Sequence, residues 1–346
     1  MKFKKILTAV LAAAMTCSLA ACSNGGSSTP GSGDVSTDNS IQLASTDKVL
    51  NIGISKMMDH TAMNKSEKGF VDALESKGYV DGQNIKIDYQ NGQGETSNLN
   101  TIATQFVGNK VDLIFAIATP AAQACFGQTT EIPIIGTAIT DFADAGLVND
   151  NNNPGTNVSG TTDMNPIEEQ IDLLLELFPD TKTIGFVYTA SEQNSVLQCK
   201  LAKEYIESKG LKTTEKTIIN TNDIQQAVSS IVTECDALYL PTDNQIASAM
   251  SLVSSVCNTE KIPVICGENG MVENGGFGTL SINYYDLGFQ AGLMAVEVLE
   301  GADISKMAIQ KSTNYEYAFN EDAVAALEIT LPDKYKDFVV KTASAE

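Results

Sequence analysis

The sequence predicts an α/β protein of two lobes, each a parallel sheet covered by helices on both faces, with a cleft between them for a small ligand. Three observations predict it. Apolar strand-like segments alternate with amphipathic helix-like ones from Lys48 onward, the second half repeats the first, and 346 residues is length for two domains that each bury a core. Strand–helix alternation with buried strands implies right-handed crossovers, and two such lobes leave a pocket beyond the carboxyl ends of their strands.

Val49–Ile54 is an apolar strand ending in a turn. Glu67–Lys77 then sets Phe70, Val71 and Leu74 on one helical face, and Gly78 stops the helix. Ile85–Tyr89 alternates as a strand does and Leu99–Val107 is amphipathic. Val111–Ala118 and Ile132–Ile139 are continuous apolar runs, the pattern of strands buried on both faces. The second half answers in the same order. Ile184–Tyr188 matches Ile52–Ile54, Glu207–Gly210 repeats Glu75–Gly78 at an offset of 132, Cys235–Tyr239 mirrors Val111–Phe115 at 124, and Lys261–Ile265 mirrors Glu131–Ile135 at 130. A period this long indicates two similar domains rather than a solenoid.

The residues just past each strand are more polar than capping requires. Thr119 and Pro120 open a helix after the third strand, Thr119 as the N-cap and Pro120 as the first helical residue, and Ala121 adds a free N–H, so this end is an anion site. Thr140 and Asp141 follow the fourth strand. In the second half Glu192 and Ser195 follow the first strand, Thr242, Asp243 and Asn244 the third, and Glu268 the fourth. A carboxylate at Asp243 facing a helix end near Thr119 describes a site for a zwitterion, the other reading being that Asp243 caps its own helix. His60, after the first strand, is a pocket wall or a hydrogen-bonding residue.

Composition narrows the function. With 22 basic residues, 43 acidic ones and a net charge of −21, the chain lacks the basic surface that nucleic acid requires. All 22 are lysines, so no arginine clamp can hold a carboxylate, and backbone N–H groups and hydroxyls must do it. There is no Walker A loop, GxGxxG, HExxH or GxSxG motif, and a single histidine gives no triad. Catalytic residues, cofactors and a metal site are therefore not expected, and 150–154 lacks calcium-loop spacing. MKFKK ahead of the apolar run Ile6–Ala14 has the layout of a secretory signal, residues 1–21. Leu19-Ala20-Ala21-Cys22 resembles the lipobox of bacterial lipoproteins, in which Cys22 becomes a diacylated N-terminus. Residues 22–46, rich in Ser, Gly, Thr and Asn, form a flexible linker. Five cysteines remain beyond Cys22 without CxxC spacing, and at least three read as small buried hydrophobes.

Four segments, Ile117–Ala124, Thr140-Asp141 with Ala145–Val148, Glu192–Ser195 and Leu240–Asn244, together resemble the ABC-transporter substrate-binding protein family that includes tryptophan- and tyrosine-binding lipoproteins. The resemblance runs from about Val49 to Leu331. It implies a type I periplasmic-binding-protein fold, two Rossmann-like lobes with parallel sheets joined by crossing hinge strands. The first lobe would be 47–160 plus about 284–312, and the second 161–283 plus about 313–346. It also implies a monomeric, lipid-anchored extracytoplasmic receptor, not an enzyme, that binds an aromatic or hydrophobic amino acid and passes it to an ABC permease with its ATPase. Thr119, Pro120, Ala121 and Thr140 would then hold the ligand's carboxylate, Asp243 with Asp141 or Glu192 its ammonium, and Ser195 and Asn244 would add hydrogen bonds. A sugar or nucleoside receptor of the same fold, or a sensing lipoprotein docked on a membrane kinase, are the alternatives. The first-strand loop, 55–61, carries methionines and no His-Pro pair, which leaves the side-chain pocket open.

Overall fold

The computed structural model describes residues 42–343. The secretory signal, Cys22 and most of the expected linker lie outside them. The first sheet is built from β1 (Leu50–Lys56), β2 (Ile85–Asn91), β3 (Leu113–Ile117), β4 (Ile134–Ile139) and β5 (Val158–Thr162), joined through α1 (Thr61–Ser76), α2 (Thr96–Asn109) and α3 (Thr119–Phe126). The chain then enters a second unit: α4 (Ile167–Leu177), β6 (Thr183–Thr189), α5 (Gln193–Ser208), β7 (Lys212–Ile218), α6 (Ile224–Ile231), β8 (Ala237–Leu240), α7 (Asn244–Ser248), α8 (Met250–Thr259), β9 (Val264–Cys266), α9 (Asn269–Glu273) and β10 (Gly278–Ser281). It returns to the first lobe as α10 (Tyr284–Leu299) and β11 (Gln310–Lys311), and ends in the second with β12 (Glu316–Asn320), α11 (Glu321–Ala326) and β13 (Val339–Val340).

The sheet orders are β11-β5-β4-β3-β1-β2 and β13-β12-β10-β9-β8-β6-β7. The chain therefore passes between sheets three times, between β5 and α4, β10 and α10, and β11 and β12. All pairings are parallel except β10 with β12. Strand β12 enters its sheet directly from the other lobe rather than through a crossover helix, so nothing obliges it to run parallel.

Each sheet buries an apolar cluster on either face. Phe70, Leu74 and Leu287 pack on one side of the first sheet, and Phe106, Ala122 and Phe142 on the other. Val228, Val253 and Met271 pack on one side of the second, and Ile171, Cys199 and Phe319 on the other. Coverage on both faces is why the central strands are continuous apolar runs. Helix α10 lies against α1 through glycines: a Cβ on Gly288 would stand 2.0 Å from the Ser66 carbonyl oxygen, and one on Gly69 would stand 2.1 Å from that of Tyr285.

All five cysteines among the described residues are free, four of them buried. No helix among these residues is long and apolar enough to cross a membrane.

Candidate functional site

The carboxyl ends of β1, β3 and β4 in one lobe face those of β6, β8 and β9 in the other, and the lobes touch across this line. His60 Nε2 lies 3.2 Å from Asn244 Oδ1. Gln198 on α5 donates to Thr140 Oγ1 at 2.9 Å and to Thr242 Oγ1 at 2.6 Å, so one side chain joins both lobes. Gln245 donates to the Gly94 carbonyl at 3.1 Å, Asn274 to Thr61 Oγ1 at 3.0 Å, and Gln123 to Gln193 Oε1 at 3.0 Å. Between these contacts are two spaces. An outer cleft of about 510 Å³ is lined by Met57, Thr96, Pro120, Gln123, Glu192 and Gln245, among others. A small enclosed cavity is walled by His60, Met63, Asp163, Asn194, Asp243, Glu268 and Tyr284.

The strand ends of the first lobe are strained. Ala118, between β3 and α3, sits at φ 84, and Ala138, in a bulge of β4, at φ 54. Non-glycine residues held there mark positions that the surrounding structure over-determines, and such positions cluster at ligand sites. Helix α3 begins one residue earlier than expected. Ala118 is the N-cap, Thr119 opens the helix and Pro120 follows within the first turn. The Thr119 hydroxyl therefore caps nothing; it is buried and unpartnered. Ala121 is buried behind it.

In the second lobe three acids stand at helix starts. Asp243 caps α7, accepting from Ile246 N at 3.0 Å, and also accepts from Thr189 N at 2.7 Å and Thr189 Oγ1 at 2.9 Å. With Ser195 as a further donor its carboxylate is fully engaged. The structure thus commits Asp243, expected at the ammonium, to its own helix and to β6. Glu268 caps α9 through the N–H groups of Gly270 and Met271. Glu192 precedes α5 but does not cap it. Its Oε2 accepts from Asn244 N at 3.1 Å and Asn244 Nδ2 at 2.7 Å, while its Oε1 is buried without a partner. Asp141 holds a turn, accepting from Ala143 N, Asp144 N and Asn151 Nδ2, and does not line either space.

The sequence did not single out Asp163, Gln198 or Tyr284, and it placed Asn194 within the Glu192–Ser195 segment without a role of its own. Asp163 lies just after β5, where it accepts from Tyr284 OH at 2.7 Å and Thr140 Oγ1 at 3.2 Å. Asn194 donates to the Thr242 carbonyl at 2.9 Å, which leaves its Oδ1 buried and unpartnered. Asp163 carried the same polar strand-end signal as Thr140, and that signal could have found it.

Electrostatics favour a positive guest. Burial pushes Asp163 up to about 6 and Glu268 up to about 7, in each case against the hydrogen bonds it accepts. Glu192 is raised by burial and by the neighbouring Asp243 charge, and Asp243 is raised by burial. No lysine lines the enclosed cavity. His60 is held neutral, down to about 4, by burial and the Lys56 charge. Lys56 itself is paired with Asp59 at 2.7 Å and Glu67 at 2.9 Å. Among the described residues no group of three or more His, Cys, Asp or Glu is placed to hold a metal.

Two covered sheets, three crossings and a polar cleft define a two-lobed solute receptor. The chain belongs to the ABC transporter substrate binding protein family, whose sequence profile it matches over residues 51–343. It is 42% identical over 329 residues to a tyrosine-binding protein of Clostridioides difficile (strain R20291), covering 95% of this chain and 93% of that one. An ABC domain from Streptococcus pneumonia, solved in complex with L-Trp, superposes with a TM-score of 0.81 at 36% identity, over 85% of this chain and 99% of that one. The ligand-free, open structure of a substrate binding protein with adhesive properties from Clostridium difficile gives 0.67 at 44% identity, over 85% of this chain and 100% of that one. The architecture is the type I periplasmic-binding-protein fold, and the protein is a solute-binding protein, not an enzyme.

Proposed function

We propose that the protein binds an aromatic α-amino acid between its lobes and delivers it to an ABC permease, held at the outer face of the membrane by a lipid on Cys22. One observation carries the ligand class: the buried polar atoms left unpartnered around the cleft are mainly acceptors. They are Glu192 Oε1 on the outer cleft and Asn194 Oδ1 and His60 Nδ1 on residues that wall the enclosed cavity, with the Thr119 hydroxyl at the start of α3 beside Pro120 of the cleft wall. Buried acceptors without donors are costly, and a ligand rich in N–H groups is what relieves them. An ammonium supplies three donors and a charge that suits a site of raised carboxylates. Glu192 is its partner, because Asp243 and Glu268 already serve helix ends. The ligand's carboxylate then meets the Thr119 hydroxyl and the start of α3, a site that needs no arginine.

The relatives support the choice. One is named for binding tyrosine and another is solved with L-Trp. This chain superposes better on the L-Trp complex than on the open structure, despite lower identity to it. The lobe arrangement here is the closed one, in agreement with hydrogen bonds that span the cleft.

Titration calorimetry with the twenty amino acids and their deaminated analogues tests the reading. Glu192→Gln is expected to weaken an amino acid by about 2–5 kcal/mol, the range for breaking a buried hydrogen-bonded charge pair, and to leave the analogue nearly unchanged. Equal losses would remove Glu192 from the ammonium, and binding by no amino acid would overturn the ligand class. For the anchor, Cys22→Ala is expected to abolish incorporation of labelled fatty acid and release the protein from membranes.

A further inference from the structure

We infer that closing the lobes traps one water molecule in the enclosed cavity, where it joins His60 of the first lobe to Asn194 and Thr242 of the second and so latches the receptor shut. The inference goes beyond the amino-acid reading above, because it holds for any solute on which the lobes close.

Size decides what the cavity takes. It encloses about 10 Å³, the space of a single water and too little for the side chain of a solute. A space of that size stays dry when its walls are apolar, and it holds a water when a few polar atoms face it without partners. Residues of both lobes wall it, so it exists only while the lobes are closed.

Hydrogen bonding sets what the occupant must offer. Glu192 Oε2 accepts from both the backbone N–H and the side-chain amide of Asn244, which turns Asn244 Oδ1 toward His60. An amide oxygen only accepts, so His60 Nε2, 3.2 Å away, carries the hydrogen and Nδ1 is left a bare lone pair. That Nδ1 is buried without a partner, and so is Asn194 Oδ1, whose amide nitrogen donates to the Thr242 carbonyl. Thr242 has the opposite need. Its Oγ1 accepts from Gln198 Nε2 at 2.6 Å, which leaves the hydroxyl hydrogen to be donated. The three acids on the walls, Asp163, Asp243 and Glu268, already accept from donors of their own. One small molecule with two donors and an acceptor therefore completes the cavity, and water is that molecule; an ammonium or a metal ion has no lone pair for Thr242. A bridging water is nearly as good as a direct hydrogen bond, and here it spans the two lobes. The full guest of the cleft is thus a pair, a solute that meets Glu192 Oε1 in the outer space and a water that meets His60 and Asn194 in the inner one.

The test uses the full-length receptor closed by two routes. One is saturating L-tyrosine. The other needs no solute: Gln123→Cys and Gln193→Cys, neighbours across the rim, are joined by a short bismaleimide on a Cys235→Ser background, the other four cysteines among the described residues being buried. His60 is the only histidine of the chain, so its ring resonances can be followed directly by NMR after 15N labelling of histidine. Closure is expected to bring a nuclear Overhauser contact between a slowly exchanging water and the His60 ring protons, while the Nδ1 resonance keeps the upfield position of a hydrogen-bonded imidazole nitrogen. Thr242→Val, which removes the donor to the water, should weaken that contact and raise the dissociation constant of L-tyrosine about fivefold or more. Closure without the water contact and with Nδ1 moved downfield would show a dry cavity and overturn the inference, whether or not the Thr242 variant folds. A water contact present in the tethered receptor and abolished by L-tyrosine would put the solute itself in the cavity and overturn it as well. The contact in the tethered receptor with no binding of L-tyrosine would uphold the trapped water and count against the amino-acid reading alone.

Discussion

Asp243, Glu268 and Glu192 stand at equivalent places in the second lobe, and the donors around each carboxylate decide what it can do. Asp243 and Glu268 spend theirs on helix N–H groups, whereas Glu192 leaves one oxygen unused. Their burial has a consequence for pH. Burial pushes Glu268 and Asp163 up to about 7 and 6, above the ordinary carboxylate range, so at these two groups the folded protein binds more protons than the unfolded chain between about pH 4 and 7. Each of these two groups loses on the order of 3 kcal/mol of stabilisation as pH rises through its folded-state value, while His60, held down to about 4, works in the opposite sense between about pH 4 and 6.5. Ion-paired surface acids such as Asp303, held down near 2, act only at lower pH and in the opposite sense. The melting temperature of the ligand-free protein is therefore expected to decline from about pH 6.5 to pH 7.5, where His60 is neutral in both states, and Glu268→Gln to flatten that decline. A melting temperature that rises with pH across this range, or a variant with the wild-type slope, would contradict the assignment. At this scale the sequence made Glu192, Thr119 and His60 visible as polar residues just past apolar strands. It could not rank Asp243 against Glu192, because the ranking depends on Thr189 and Asn244, which reach them from other strands.

Among the elements, the buried strands were legible for a physical reason: sheets covered on both faces are apolar on both faces, and no other pattern fits runs such as Ile134–Ile139. The first turn and a half of α1 was not. Thr61-Ala62-Met63-Asn64 follows His60, whose side chain makes no cap, so nothing local announces a helix start. The pairing of α1 with α10 was equally hidden, since it depends on glycines more than 200 residues apart meeting backbone to backbone. What a methyl group would meet makes opposite predictions for Gly288 in that pairing and Gly108 outside it. Gly288→Ala would drive a methyl group into the Ser66 carbonyl and is expected to cost about 1–3 kcal/mol or more, as overpacking does. Gly108→Ala, within α2 and with nothing inside 4 Å, is expected to gain up to about 1 kcal/mol from helix propensity. Denaturant melts of the two variants check the pair, and a neutral Gly288→Ala would mean that the two helices are not in contact at the backbone.

For the whole molecule, the three crossings between lobes and the hydrogen bonds across the cleft belong to one device. The crossings are short: only four residues separate β5 from α4, and within them Asn165 Oδ1 accepts from Ile282 N of the second crossing at 3.0 Å. The lobes thus turn about a narrow, cross-linked waist on one side of the ligand, while the far rim is closed by Gln193 of one lobe bonding Gln123 and Asp144 of the other. A ligand held by both lobes favours closure by as much as it prefers the closed site to the open one. Small-angle X-ray scattering should accordingly show a smaller radius of gyration once the amino acid is added. Gln193→Ala removes rim contacts that exist only when the lobes are closed and touches none of the groups assigned to the ligand. Its open state is unaffected, so the whole effect falls on the closing equilibrium and appears as weaker binding. With about 1 kcal/mol for a neutral hydrogen bond, the dissociation constant should rise about fivefold for one lost bond and more for two, with the selectivity among amino acids unchanged. An unchanged dissociation constant would show that the rim contributes nothing to closure, and a changed order of preference would place Gln193 at the ligand itself.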